Sequence, residues 1–191
     1  MLGLQFKLIK ALAFIHKKDG LSDSDFKDYY ENKHAPLASS LLSFEGYERN
    51  YIHSALNPLF TSLGSISIFQ YQSIESLDVV GKQMSSDAGD TLRNDEVQFM
   101  NVSKNYFVLT ESKQLTENEF KKKIFYMIKR HNELNVLDSY KGLKKISDNL
   151  IIEPNDAIGI AEYGITKEVS LDALEDLTQE YPQAMIASCV F

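Results

Sequence analysis

Along residues 5–15 apolar side chains fall on both alternating faces, Phe6, Leu8, Leu12 and Phe14 on one and Ile9, Ala11, Ala13 and Ile15 on the other, broken only by Lys7 and Lys10. A strand covered on both sides reads this way. His16, Lys17, Lys18, Asp19 and Gly20 then make a polar turn, and Ser22 with Asp25 forms a capping pair for a helix. That helix carries Phe26, Tyr29, Tyr30, Lys33, His34 and Leu37 at helical spacing. Pro36 is expected to kink or end it near His34, because proline removes a donor and restricts its predecessor. Residues 46–54 (GYERNYIHS) and 65–74 (SISIFQYQSI) read as two further strands, and 73–84 as a helix built on Ile74, Leu77, Val80, Gly81 and Met84. Residues 85–94, polar and containing Gly89, are expected to be a mobile loop, with strand material following at 97–100 and 106–110. The resulting order, βαββαβ, is that of a ferredoxin-like unit.

The pattern then repeats. Thr116 with Glu119 is expected to cap a short helical turn, and 123–129 (KIFYMIK) reads as an apolar strand. Shifted by 113 positions, Leu12, Ile15, Lys17, Leu21, Ser22 and Asp25 fall over Phe125, Ile128, Arg130, Leu134, Asn135 and Asp138. Asn135 is then the second N-cap, with a helix near 136–146 carrying Leu137, Tyr140, Lys141 and Lys144. Residues 157–165 (AIGIAEYGI) and 170–174 echo the third strand and second helix of the first copy, and 185–191 supplies a closing strand. The expected fold class is α+β, a tandem repeat of two ferredoxin-like halves at 1–112 and 113–191. Each sheet, covered by helices on one face, must bury the other, so the halves are expected to pack sheet against sheet as a pseudo-dimer within one chain.

Length and charge narrow the possible partners. A chain of 191 residues and 21.7 kDa buries a core without a metal or disulfide staple. Its 43% hydrophobic and 11% aromatic content excludes disorder for the bulk of the chain. A net charge of -7 opposes a phosphate-backbone footprint, so no nucleic-acid partner is expected. The single Cys189 makes neither an intrachain disulfide nor a metal cluster and is compatible with a cytoplasmic location. The N-terminal apolar stretch reads as a strand rather than a secretory leader, and nothing later approaches a membrane helix. No HExxH, CxxC or EF-hand spacing occurs, and Asp87, Asp90, Asp95 and Glu96 read as a solvated stretch, so no metal or cofactor is assigned.

The first half carries GLSDSDFKDYYENKHAPL at 20–37, GYERNY at 46–51 and DEVQF at 95–99. With these residues it resembles the EthD family of small dimeric α/β-barrel proteins. The resemblance implies sheets that face each other in a barrel, here within one chain, with a pocket between a sheet and its helices. It also implies kinship with cofactor-independent oxygenases, polyketide cyclases, dehydratases and haem enzymes, and an auxiliary role beside an ether-degrading oxidase. The second copy lacks the HAPL string, so a single pocket is expected in the first half.

His34 is the expected catalytic residue, since its ordinary pKa near 6.5 lets it donate or accept a proton at neutral pH. Tyr30 and Leu37 on its helix, with Tyr47, Asn50, Tyr51 and His53 on the next strand, are the expected binding residues. Such walls suit a small hydrophobic or aromatic molecule. The alternative for His34 is a helix-end histidine stabilised by the last carbonyls and the dipole. Three functions stay open: a proton-transfer enzyme or accessory oxidoreductase for a flat aromatic or polyketide-like compound, a non-catalytic carrier for one, or a structural barrel with a filled core. A homodimer formed through outer surfaces also stays open.

Overall fold

The computed structural model describes residues 8–116, 119–152, 157–167 and 169–190. Its strands are β1 (Leu8–His16), β2 (Gly46–Ile52), β3 (Leu63–Tyr71), β4 (Tyr106–Gln114), β5 (Lys122–Ile128), β6 (Leu143–Ile151), β7 (Gly159–Ile165) and β8 (Ala184–Val190). The helices are α1 (Asp23–Tyr29), α2 (Ala35–Leu41), α3 (Glu75–Met84), α4 (Asp87–Phe99) and α5 (Leu171–Glu180), with a π-helical turn (Tyr30–His34) joining α1 to α2. Gln5, Phe6, Lys7 and Phe191, expected in the first and last strands, lie outside the described residues, as do positions 117–118 within the expected Thr116–Glu119 cap.

The strands form one closed antiparallel barrel in the order β1-β3-β2-β8-β5-β7-β6-β4. Read by halves, this is β4-β1-β3-β2 followed by β8-β5-β7-β6, the same ferredoxin-like order twice. The halves do not simply stack face to face. Their edges hydrogen-bond, β2 to β8 with Asn50 opposite Cys189, and β4 to β6 with Ser112 opposite Asn149. Each pairing satisfies backbone groups that an open edge would leave exposed.

The inward faces fill the barrel. Leu12, Phe14, Ile66, Ile68, Phe125, Ile160 and Met185 form an apolar core. Toward one end the lining turns polar. Lys123 Nζ donates to Glu48 Oε1 at 2.7 Å and to Glu162 Oε1 at 2.7 Å, and Lys10 Nζ lies 3.5 Å from Glu162 Oε2. All four residues are buried. Lys10 and Lys123 hold equivalent positions in β1 and β5, and the pairs Lys123–Glu48 and Lys10–Glu162 each cross from one half to the other. The lysine that interrupts the apolar pattern of the first strand is therefore part of an internal ionic clamp.

Three expected elements differ. Pro36 does not end the helix. It sits in the first turn of α2, where no N–H is needed, while Ala35 N–H bonds back to Tyr30 O across the widened π turn. Residues 85–94 and 97–99 are neither loop nor strand but belong to α4. Ser86 caps it by accepting from Ala88 N, and Leu92 and Phe99 are buried. Gly89 marks a close approach, since an added Cβ would collide with the Met84 carbonyl. In the second half there is no helix at 136–146. A 3-10 turn at His131–Glu133 and further turns lead directly to β6, so the capped helix expected at Asn135 is missing. Ser147 and Asn149 point inward and are hydrogen-bonded there, to Glu162 Oε2 and to the Ile160 carbonyl, so polar residues occupy the buried side of the strand and mask its alternation.

Burial raises the Glu162 pKa, but Lys10 and Lys123 outweigh it and hold the carboxyl below the usual range. Its contribution to stability is therefore complete above the ordinary carboxylate pKa of about 4.3 and is lost as pH falls below it. Replacing Lys123 with Met strands two buried carboxylates and should cost about 3–5 kcal/mol in urea unfolding at pH 7. The deficit should shrink as the buffer is taken toward pH 4; a deficit that stays constant with pH would show that the cluster is not held by charge.

Candidate functional site

Outside the barrel, helices α2, α3 and α4 and the π turn cover the outer face of β1, β3 and β4. The floor of this layer is set by two small side chains, Ala11 and Ala13, and a cavity of about 420 Å³ opens above them. Phe69, Tyr71, Phe107 and Leu109 continue the sheet wall, and Ala38, Leu77, Val80, Met84 and Leu92 close the helical side. Apart from tyrosines, the titratable side chains lining it are His34 and Glu96.

His34 is buried at 5% exposure, and its Nδ1 lies 2.8 Å from Asp95 Oδ2. An ionised carboxylate only accepts, so Nδ1 carries the hydrogen and Nε2 is the basic nitrogen. Tyr29 OH donates to the other Asp95 oxygen at 2.9 Å, fixing the carboxylate. The His34 ring lies 5.0 Å from both Tyr30 and Phe99 rings, which hold its orientation. Burial lowers the His34 pKa more than Asp95 raises it, so the imidazole is neutral at pH 7. Tyr30 OH accepts from Tyr47 OH at 2.9 Å and shares a 2.8 Å bond with Ser67 Oγ, and burial pushes its pKa up to about 12. Glu31, facing the other way, accepts from Arg49 Nε and Nη2 and from Tyr51 OH, tying the π turn to β2.

Of the residues expected from the sequence, Tyr30 and His34 line the cavity. Tyr47 and Tyr51 face the same helices, but Tyr47 reaches the cavity only through Tyr30, and Tyr51 is engaged with Glu31. Leu37 is half-buried beside Ala38 and is not in the lining. Asn50 points into the barrel, where its Nδ2 donates to Glu48 and to the Ile66 carbonyl. His53 lies beyond the end of β2, with Nε2 2.7 Å from Ser188 Oγ, away from His34. The sequence reading missed Asp95 and Glu96 as site residues, having placed them in a solvated stretch. The available signal was their position between Leu92 and Phe99, one turn from each, on the side of a helix that faces inward.

The second half has no counterpart to this arrangement. The positions equivalent to Ala11 and Ala13 hold Ile124 and Tyr126, which pack with Leu137, Tyr163, Leu174 and Leu177 into a filled core. A surface cleft of about 440 Å³ runs beside Tyr140, Gly142 and Val169, so volume alone does not single out the first-half cavity. Its lining does, because that cleft contains no histidine and no carboxylate. Among the described residues, no group of three or more His, Cys, Asp or Glu side chains is placed to hold a metal ion.

Residues 18–103 match the model of the EthD domain. Over this stretch the protein is similar to the EthD family. The matched stretch contains Tyr30, His34, Asp95 and Glu96 together. Over nearly the whole chain the EthD-like barrel is also similar to solved structures. A candidate chlorite dismutase, TA0507, is 9% identical, with a TM-score of 0.55 over 97% of this chain and 95% of the other. A candidate monooxygenase from Lactobacillus acidophilus NCFM is 9% identical, with a TM-score of 0.51 over 96% and 93%. These two show the fold. An EthD-family protein from Bacillus halodurans is 20% identical over 55% of this chain and 97% of its own, with a TM-score of 0.42. No curated protein matches the chain.

The Asp95 carboxylate supports a proton on His34, so Asp95→Asn should lower the imidazole pKa further. Titrating the ring signals by NMR tests this; an upward shift would mean that the Nδ1–Asp95 bond is not made in solution.

Proposed function

We propose that this EthD relative is a small-molecule enzyme that moves a proton on a flat aromatic or polyketide-like compound held between the sheet and helices of its first half. The observation that carries this reading is the bond to Asp95 of a His34 that lines a predominantly apolar cavity. A structural histidine at a helix end would be expected on backbone carbonyls; this one is bonded to a carboxylate that fixes its tautomer and leaves Nε2 as a neutral base. The apolar part of the barrel interior is packed with side chains and the cavity at its other end is lined by Lys10, Glu48, Lys123 and Glu162, so a flat apolar ligand belongs outside it. The reading takes 1–112 as the working half and 113–191 as a degenerate partner that completes the barrel. It also takes the protein as cytoplasmic, in keeping with the free thiol of Cys189.

In the step envisaged, the apolar walls orient the ligand by burial and Nε2 accepts its proton. Asp95 stabilises the imidazolium that results, at a cost far below that of an unpaired buried cation. The rate should therefore fall on the acid side, as His34 protonates with a pKa below the ordinary 6.5. The predominantly apolar lining also favours a second reading, a carrier in which His34 only hydrogen-bonds.

Flat polycyclic phenols and ketones should raise the melting temperature, since ligands that bind only the folded state stabilise it. Ala13→Tyr, which copies the filled second half at Tyr126, should abolish that shift. For a ligand that turns over, His34→Ala should lower kcat roughly 10²- to 10⁴-fold while changing the dissociation constant much less. Unchanged turnover would remove the enzyme reading, whereas binding without any chemistry would favour the carrier.

A further inference from the structure

Asp95 and Glu96 are neighbours on α4 but do different things. Asp95 is spent on His34 and Tyr29. Glu96 borders the cavity and makes no side-chain hydrogen bond to the described residues. A carboxyl in an apolar wall needs a partner or a proton. Its surroundings offer little competition: Arg93 and Asp95 act on it from its own helix, while the sheet and α3 present Ala13, Ile15, Phe107, Leu77 and Val80. Across the cavity the facing groups are Tyr30, which feels the Glu96 charge, and His34.

We propose that Glu96 is the acid of an acid–base pair with His34, and that the pair selects a flat apolar ketone with an enolisable C–H beside its carbonyl. This rests on the proton-transfer reading above and names its substrate class. His34 Nε2 takes the α-proton, and the C–H bonding pair becomes the new C=C bond. The carbonyl π pair moves onto oxygen, which takes the proton of the Glu96 carboxyl. The products are an enol, an imidazolium held by Asp95 and a Glu96 carboxylate, and return of both protons restores the ketone. Burial, reinforced by Asp95 and opposed by Arg93, raises the Glu96 pKa, while burial lowers that of His34. Opposite displacement of two neighbouring groups is the arrangement that lets one donate as the other accepts. A hydrocarbon without a carbonyl would leave the carboxyl unsatisfied, and an anionic ligand would meet its charge once it ionised.

The probe is 1-tetralone, whose α-hydrogen exchange in D₂O is followed by NMR across pH for the wild type, Glu96→Gln, Glu96→Asp and His34→Ala, with the melting temperature of each variant measured alongside. The wild type should accelerate exchange with a bell-shaped pH profile, falling on the acid side with His34 and on the alkaline side with Glu96. Glu96→Gln should lose about 10²-fold in exchange rate and the alkaline limb, with binding of the ketone kept, and Glu96→Asp should recover part of both. A Glu96→Gln protein with wild-type rate and an intact alkaline limb overturns the assignment of Glu96, while loss of exchange in His34→Ala would leave the proton-transfer reading standing. Exchange unaffected in both variants overturns both. Wild-type protein that leaves the ketone unexchanged, bound or not, overturns the ketone class.

Discussion

Each half of the chain ends in sheet edges whose backbone N–H and C=O groups have no partner within that half, and the pairing of β2 with β8 and β4 with β6 satisfies both at once. Closure then governs the interior. Once the ring is complete, the inward faces are isolated from water and must fill the space they enclose, which Leu12, Phe14, Phe125 and Met185 do. Charged side chains that remain inside must then find one another. Lys10, Glu48, Lys123 and Glu162 do so across the junction between halves, where mispairing of the edges by one residue would part the lysine of each half from the carboxylate of the other. The cluster thus adds registration to closure. The apolar part of the barrel is filled, its ionic end borders a cavity of about 350 Å³ lined by Lys10, Glu48, Lys123 and Glu162, and the predominantly apolar cavity lies in the layer between the sheet and its helices.

That layer is built asymmetrically from a symmetric plan. The same strand position holds Ala11 in one half and Ile124 in the other, and the next outward position holds Ala13 and Tyr126. Two alanines lower the floor under the first set of helices, and two bulky residues raise it in the second, where the counterpart of α1, π turn and α2 has been lost. Removing the helix without enlarging the floor would have left an apolar sheet face exposed to water. Filling the floor without removing the helix would have pushed that helix off the sheet. The two changes are mutually required, so the second half serves as closure for a barrel whose sheet–helix cavity belongs to the first.

Much of this was legible in the chain. The strands, the Ser22 cap, the internal repeat and the aromatic helix leading to His34 all arise from local pattern. Apart from Pro36, whose place after a π turn local pattern did not reveal, much of what was not legible involves polar residues facing inward. Asp95 and Glu96 occupy the inner side of α4, so the helix read as a solvated loop. Ser147 and Asn149 face the ionic end of the barrel, which masks the alternation of β6, and its first residues fall within the helix expected at 136–146. In each case a buried partner supplied by distant sequence reverses the rule that polar means exposed. Asn50 was grouped with Tyr47 and Tyr51 by nearness in sequence and His53 by strand alternation, yet alternation sends Asn50 into the barrel and β2 ends at Ile52, before His53.

The π turn explains why His34 and Tyr30 can serve one cavity. The side chains facing the sheet, Phe26, Tyr30, His34 and Ala38, recur every four residues, all four buried. In a regular α-helix, at 3.6 residues per turn, a four-residue step advances the stripe by about 40°, so three such steps would swing Ala38 well away from the face that carries Phe26. A π turn contains more residues per turn and takes back part of that drift. The widening falls at Tyr30–His34, where Glu31 is fastened to Arg49 and Tyr51 on β2. Pro36 then starts the next α-helical segment without requiring the hydrogen bond that its ring forbids. The local irregularity is thus what keeps a four-residue stripe in register with a straight strand, and it brings the imidazole to the place where α4 presents Asp95.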